Sequence, residues 1–313
     1  MKKGKITIEV AGGLGNQLFC YFAGFTFANN LGVDLEVDLL FASNAHSAQF
    51  DIRSFELPGS FRATTASGRK ALRLFVRKVL DSLSYRSQRL GAIRNRLHKV
   101  LLENPGSEFD PNLIHQIRVG QRVQGFFATS KYIRMLQKQN YFKTLDLASP
   151  SEWFRQISKI AQETSPICVH VRRGDFLFAK DSYGVLSEEY FRKALDMADA
   201  LRPGRKVWVF SDDMQLVKSW KIFQGNRFDF IDGVKDGIHV SRTQEELDPA
   251  EFLKLMTFAS VNIISNSSFS YFGAMLNPNN PVVIRPNPTA KSPKNRMITL
   301  YPDDWISCPA VWE

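Results

Sequence analysis

Cysteine is scarce in this chain. Its 313 residues hold three, Cys20, Cys168 and Cys308, widely spaced, the first two in apolar runs. That excludes a disulfide framework and predicts reduced, mostly buried thiols in a cytoplasmic protein. Histidine is thin as well. The five, at His46, His98, His115, His170 and His239, share no metal-ligand spacing, so no metal centre is expected. No apolar stretch approaches the length of a membrane span. There are no internal repeats and no low-complexity tracts. The opening Met1-Lys-Lys-Gly-Lys is basic, but the apolar segment after it is interrupted by Glu9 and glycines. It reads as a first strand rather than a secretory leader.

Acidic residues are in deficit, 31 against 41 lysines and arginines, for a formal charge of +10. Such a surface favours nucleotides, nucleic acid or anionic membrane. The excess is uneven. Arg69, Lys70, Arg73, Arg77, Lys78, Arg86, Arg89, Arg94, Arg96 and Lys99 stand against Asp81 alone, with Leu72, Phe75, Val76, Val79, Leu80 and Leu83 at helical spacing. This basic amphipathic segment reads either as a surface helix with a solvated face or as a peripheral contact with an anionic membrane or a lipid-linked acceptor. No RNA- or DNA-binding motif accompanies it, and Phe75 is its sole aromatic before Tyr85, so nucleic acid is not an expected partner.

The order of elements points to an α/β protein. Ile6 to Val10 alternates as a strand, Ala11-Gly-Gly-Leu-Gly15 turns, Asn16 to Leu31 reads as a helix and Val33 to Asp38 alternates again. That is a Rossmann-like opening. The middle, about residues 43–148, reads only as helical and basic. In the second half, strands over Ile167–Val171, Val207–Phe210, Phe228–Ile231, Val261–Ile264 and Pro281–Ile284 alternate with helices from Ser187, Asp213, Asp248 and Ser268. Asp248-Pro-Ala-Glu251 is a helix start, with Asp as N-cap and Pro at the first position. A doubly wound parallel sheet is expected. The division expected is a Rossmann-like first domain over residues 1–160 with a basic helical insertion, a second over 161–300, and a tail over 301–313.

Three polar clusters each follow a buried strand: Arg172-Arg173-Gly-Asp175, Ser211-Asp212-Asp213 and Ser265-Asn266-Ser267-Ser268. Carboxyl ends of parallel strands share one sheet edge, so the clusters converge on one crevice. Adjacent arginines suit a diphosphate. The serine loop would offer hydroxyls and helix-terminal N–H groups to phosphate oxygens. Asp212 or Asp213 would accept from ribose or base, and Asp175 would hold an arginine fork. The Gly12-Gly13-Leu-Gly15-Asn16-Gln17 loop with Asp38 beyond it also fits, weakly, an NAD-dependent dehydrogenase. That reading leaves the three later clusters without a role.

His170-Val-Arg-Arg-Gly-Asp175 resembles the HxRRxD motif of transferases that use GDP-fucose. With Gly12 to Phe19, Phe210-Ser-Asp-Asp213 and Ile264 to Leu276, the chain is similar to the α-1,2-fucosyltransferase family, glycosyltransferase family 11. Weaker blocks run from Arg53-Ser-Phe-Glu-Leu57 through Gln124-Gly-Phe-Phe127 to Tyr301-Pro-Asp-Asp-Trp305. Tyr271-Phe272, Met275, Ala259 and Phe252 depart from the family pattern. The resemblance implies a GT-B architecture, two Rossmann-like doubly wound domains facing across a cleft. It implies inverting transfer of L-fucose from GDP-fucose to the 2-hydroxyl of a galactoside, in surface glycan or oligosaccharide synthesis, with no cofactor or metal. The acceptor would be a galactose-terminated glycan, free or lipid-linked. Arg172, Arg173 and Asp175 would be catalytic. Gly13, Asn16, Gln17, Ser211, Asp212, Asp213, Asn266, Ser267, Ser268 and Phe269 would bind the donor. The general base stays open among His170, Asp38, His46 and Asp51. A non-catalytic nucleotide-sugar binder is the remaining alternative.

Overall fold

The structure, a computed structural model, describes residues 4–41, 52–62, 100–103, 109–142, 144–232 and 248–313. His46, Asp51 and the basic segment from Arg69 to Lys99 lie outside the described residues. The chain divides into two compact units, one of residues 1–53 and 57–139, the other of residues 54–56 and 140–313.

The first unit holds a five-stranded sheet in the order β3-β2-β1-β5-β4, every pairing parallel. Its strands are β1 (Lys5–Ala11), β2 (Asp34–Phe41), β3 (Ser60–Arg62), β4 (Val100–Leu102) and β5 (Arg122–Gln124). Between β1 and β2 runs α1 (Leu14–Leu31), closed by Gly32 in the left-handed conformation that glycine adopts without strain. Short α2 (Leu113–Gln116) and α3 (Ser130–Lys138) flank β5. Ile6, Ile8 and Val10 alternate onto one face of β1 and are fully buried. α1 lies so close to that face that a Cβ on Gly24 would stand 2.7 Å from the Ile8 Cβ.

The second unit holds a six-stranded sheet in the order β11-β10-β9-β6-β7-β8, again parallel throughout. The chain passes through α4 (Glu152–Thr164), β6 (Ile167–Val171), α5 (Glu188–Leu201), β7 (Val207–Ser211), α6 (Met214–Ser219), β8 (Phe228–Phe230), α7 (Pro249–Met256), β9 (Val261–Ile263), α8 (Ser268–Met275), β10 (Val282–Asn287) and β11 (Ile306–Pro309). Every residue of β6 is buried, as in a parallel strand covered on both faces. Tyr190, Phe191, Ala194 and Ala198 of α5 pack on Val169, Val171, Val207 and Val209. Trp153, Phe154, Ile157 and Ala161 of α4 pack on Cys168, Trp208 and Phe210 from the opposite side. The doubly wound parallel sheet expected for this half is present. Because α4 belongs to this core, residues 140–160 fold with the second unit.

The starts of α3, α4, α7 and α8 are capped by the side chain of the residue before them. Asp248 accepts the Ala250 N–H at 2.8 Å, with Pro249 behind it. Glu251, at the third helical position, serves a different helix. Its carboxylate takes the Ser151 hydroxyl at 2.8 Å and the Ser151 N–H, fixing the start of α4. All three cysteines are free and buried. Burial pushes the Cys20 thiol up to about 12. Among the described residues no helix is long and apolar enough to cross a membrane.

Gly24→Ala should overpack the α1–β1 contact and lower stability by about 1–3 kcal/mol. A fall in the urea midpoint with an unchanged slope is the expected result.

Candidate donor site at the carboxyl edge of the second sheet

β6 and β7 pair in register through Val171 and Ser211, so the segments after them leave the sheet side by side. Ser211 turns the second one: its hydroxyl donates to the Val171 carbonyl at 2.9 Å and accepts the Asp213 N–H at 3.0 Å. Asp212 then bridges back. One carboxylate oxygen accepts the Arg173 backbone N–H at 2.8 Å, and the other meets Arg172 Nη1 at 2.9 Å. Gly174 makes room for it, since a Cβ there would lie 2.4 Å from Asp212 Oδ2.

The two arginines have different surroundings. Arg172 Nη2 donates to Asp175 at 2.7 Å, its guanidinium lies 5.7 Å from the Phe176 ring, and its Nε is inaccessible and has no partner among the described residues. Arg173 is buried. Its Nε donates to Asp213 at 3.2 Å, its Nη1 pairs with Glu313, and its guanidinium lies 5.8 Å from the Trp220 ring. Burial opposes its charge, but Glu313 and Asp213 outweigh that and raise its pKa. Two guanidinium groups thus face four carboxylates: Asp175, Asp212, Asp213 and Glu313.

Two strands of this sheet, β6 and β9, are joined by a buried polar chain. His170 Nδ1 lies 3.0 Å from the Ser265 hydroxyl. That hydroxyl lies 3.4 Å from the Ser270 hydroxyl, which donates to the Ser267 carbonyl at 3.3 Å. The His170 ring is 5.4 Å from that of Phe269. Burial, reinforced by Arg172, lowers the His170 pKa to about 3. The imidazole is therefore neutral and internally engaged. Ser267 caps α8, accepting the Phe269 N–H at 3.3 Å, and Ser268 opens the helix. Asn266 donates its amide to the Tyr183 carbonyl at 2.9 Å, holding the loop that follows Asp175. Its carbonyl oxygen is buried and has no partner among the described residues.

Gly13, Asn16 and Gln17 belong to the first unit. Gln17 is buried and spans its own loop, donating to the Gly12 carbonyl at 2.9 Å and accepting the Ile52 N–H at 3.2 Å. Asp38 is fully buried and accepts Arg122 Nη2 at 2.6 Å. The same arginine makes a two-pronged contact with Glu9 at 2.8 and 3.1 Å, and Gln124 donates to Glu9 at 2.7 Å. Sequence reasoning passed over Glu9, Arg122 and Glu313. Glu9 and Arg122 alternate within strands, and nothing local to Glu313 signals a partner 140 positions away.

A model of the family described as glycosyl transferase family 11 matches residues 153–308. Two curated Escherichia coli proteins align over nearly the whole chain. One is an alpha-1,2-colitosyltransferase, 24% identical, covering 96% of this chain and 98% of the relative. The other is the O-antigen biosynthesis glycosyltransferase WbnK, 24% identical, covering 95% and 98%. Among solved structures, NodZ alpha-1,6-fucosyltransferase soaked with GDP-fucose superposes with a TM-score of 0.49 at 16% identity, over 90% of this chain and 97% of that one.

A histidine held neutral by folding stabilises the native state fully only above its unfolded pKa. That contribution is lost as pH falls through the window from about 6.5 to about 3. Melting temperature should therefore drop with acidification over this range, and His170→Asn should show a shallower drop there. Parallel Tm–pH curves for the two proteins would contradict the buried neutral imidazole.

Proposed function

We propose that this chain, which belongs to glycosyl transferase family 11, moves L-fucose from GDP-fucose to the 2-hydroxyl of a galactoside with inversion at the sugar carbon. The observation that carries the reading is the Arg172 guanidinium at the end of β6. Asp175 and Asp212 fix its two terminal nitrogens while the side chain stays 29% exposed. A fork held this way is pre-organised for a phosphate oxygen. Ser267 and Ser268 place hydroxyls and the N-terminal N–H groups of α8 on the same sheet edge.

The chemistry follows from charge. Breaking the bond to the nucleotide builds an oxocarbenium-like sugar and a leaving diphosphate. Fixed positive groups stabilise that charge as it develops. Arg173 contributes indirectly in this reading: it ties Asp213 and Glu313 to the strand end and presents its N–H to Asp212. His170 positions Ser265 rather than accepting the acceptor proton, because its pKa lies far below neutrality. Asp38 is held by Arg122. The reading includes no required metal, so EDTA should leave turnover unchanged.

The relatives' names support a glycan of the O-antigen kind as acceptor and an α-1,2 linkage. The first of them also favours a second donor, GDP-colitose, whose sugar is fucose without its 3-hydroxyl. GDP release from each donor, with a β-galactoside acceptor and product linkage read by NMR, separates the two. Binding of GDP without any transfer would leave a non-catalytic nucleotide-sugar binder.

Arg172→Ala should lower turnover by about 10²–10³-fold with an unchanged melting temperature. Arg173→Ala should instead lower stability by about 1–3 kcal/mol, since it removes a buried side chain that ties together two partly exposed carboxylates. Near-normal turnover in a folded Arg172→Ala enzyme removes the proposed clamp.

A further inference from the structure

Arg172 and Arg173 are already matched by four carboxylates, so an arriving diphosphate must find its neutralising charge partly elsewhere. Arg285 supplies a cation of that kind. It lies in β10, one residue past Ile284, which pairs with Ile263 of β9. By register it stands level with Ile264 and with His170, since Val169 also pairs with Ile263. It is therefore one strand from the segment that leads into Ser265 and α8, a backbone spacing of about 4.8 Å.

Its environment differs from that of the arginine pair. Arg285 is half-buried, its Nε is inaccessible, and among the described residues that nitrogen has no hydrogen-bond partner and the guanidinium no carboxylate partner. The guanidinium lies 5.2 Å from the ring of Tyr301. Tyr301 is 5% exposed, and its hydroxyl is also buried without a partner. Tyr301 stacks on Tyr271 of α8 at 6.3 Å and leans on Trp305 at 5.7 Å, which links the arginine to the end of the first turn of that helix. Burial raises the Tyr301 pKa and the Arg285 charge opposes the rise. A half-buried guanidinium with no carboxylate beside it among the described residues keeps its charge uncompensated within the chain. A cation without a carboxylate, beside a helix whose N-terminus points to the same sheet edge, suits an anion.

We propose that Arg285 is a further donor-binding residue, taking a phosphate oxygen of the nucleotide diphosphate together with the N-terminus of α8. The inference rests on the nucleotide-sugar reading above and assigns to β10 a role that Arg172 and Arg173 cannot fill alone.

Calorimetry with GDP and with guanosine tests it on the full chain. The wild-type protein should bind GDP more tightly than guanosine. Arg285→Gln should weaken GDP by about 10- to 100-fold and leave guanosine unchanged, because only the charged hydrogen bonds are removed. Arg285→Lys should fall between the two, and it carries the comparison if circular dichroism shows the glutamine variant unfolded. A wild-type ratio of GDP to guanosine affinity in the variants overturns the proposal. So does an equal loss for both ligands, which marks a purely structural arginine. If the wild-type protein itself fails to prefer GDP, the nucleotide-sugar reading falls and this inference falls with it.

Discussion

The carboxylate of Asp212 joins the ends of two neighbouring strands, and the arrangement of the candidate donor rim depends on it. One of its oxygens holds a backbone N–H of β6's extension and the other holds the Arg172 guanidinium. Backbone placement and side-chain aim are thereby set by a single residue. The contact needs a glycine at position 174, because any side chain there would collide with the carboxylate. The succession Arg-Arg-Gly-Asp thus has a steric as well as an electrostatic logic.

Adjacent arginines invite the assumption of two equal phosphate ligands. Their surroundings divide the labour. Arg173 is enclosed by Asp213, Glu313 and the Trp220 ring, and it binds the strand ends of the second unit together. Arg172 stays at the surface of the same network with its orientation fixed. Rigid orientation matters more to a transition state than the number of charges present, since a group already in place needs no reorganisation as the diphosphate departs. The serine chain from His170 to Ser267 has a similar effect on the neighbouring strand, where it fixes the start of α8 relative to β6.

Much of the second unit is legible in the residue order, because β6 and β7 are runs of four or five buried and nearly all apolar residues and α7 carries a strong start signal. Ile167–Val171 and Asp248-Pro249 are examples. The first unit is harder to read. Ser60–Arg62, Val100–Leu102 and Arg122–Gln124 are three residues each, too short for any period to register. β11 contains a proline and is largely exposed, so it lacks the apolar signature of a strand. The three polar clusters of the candidate site are local in sequence and visible as such. Their partners are not: Ser265 is 95 positions from His170 and Glu313 is 140 from Arg173. Arg285 lies one residue past the apolar run Pro281–Ile284, where nothing local marks it as more than a polar residue at a strand end.

The three thiols have a practical bearing. Each is unpaired and enclosed, and burial raises the pKa of every one. Native protein should therefore present almost no thiolate to maleimides or oxidants. A cysteine placed by design on a solvent-facing turn would be the dominant point of attachment for a fluorophore or spin label, without first stripping the natural ones from the core.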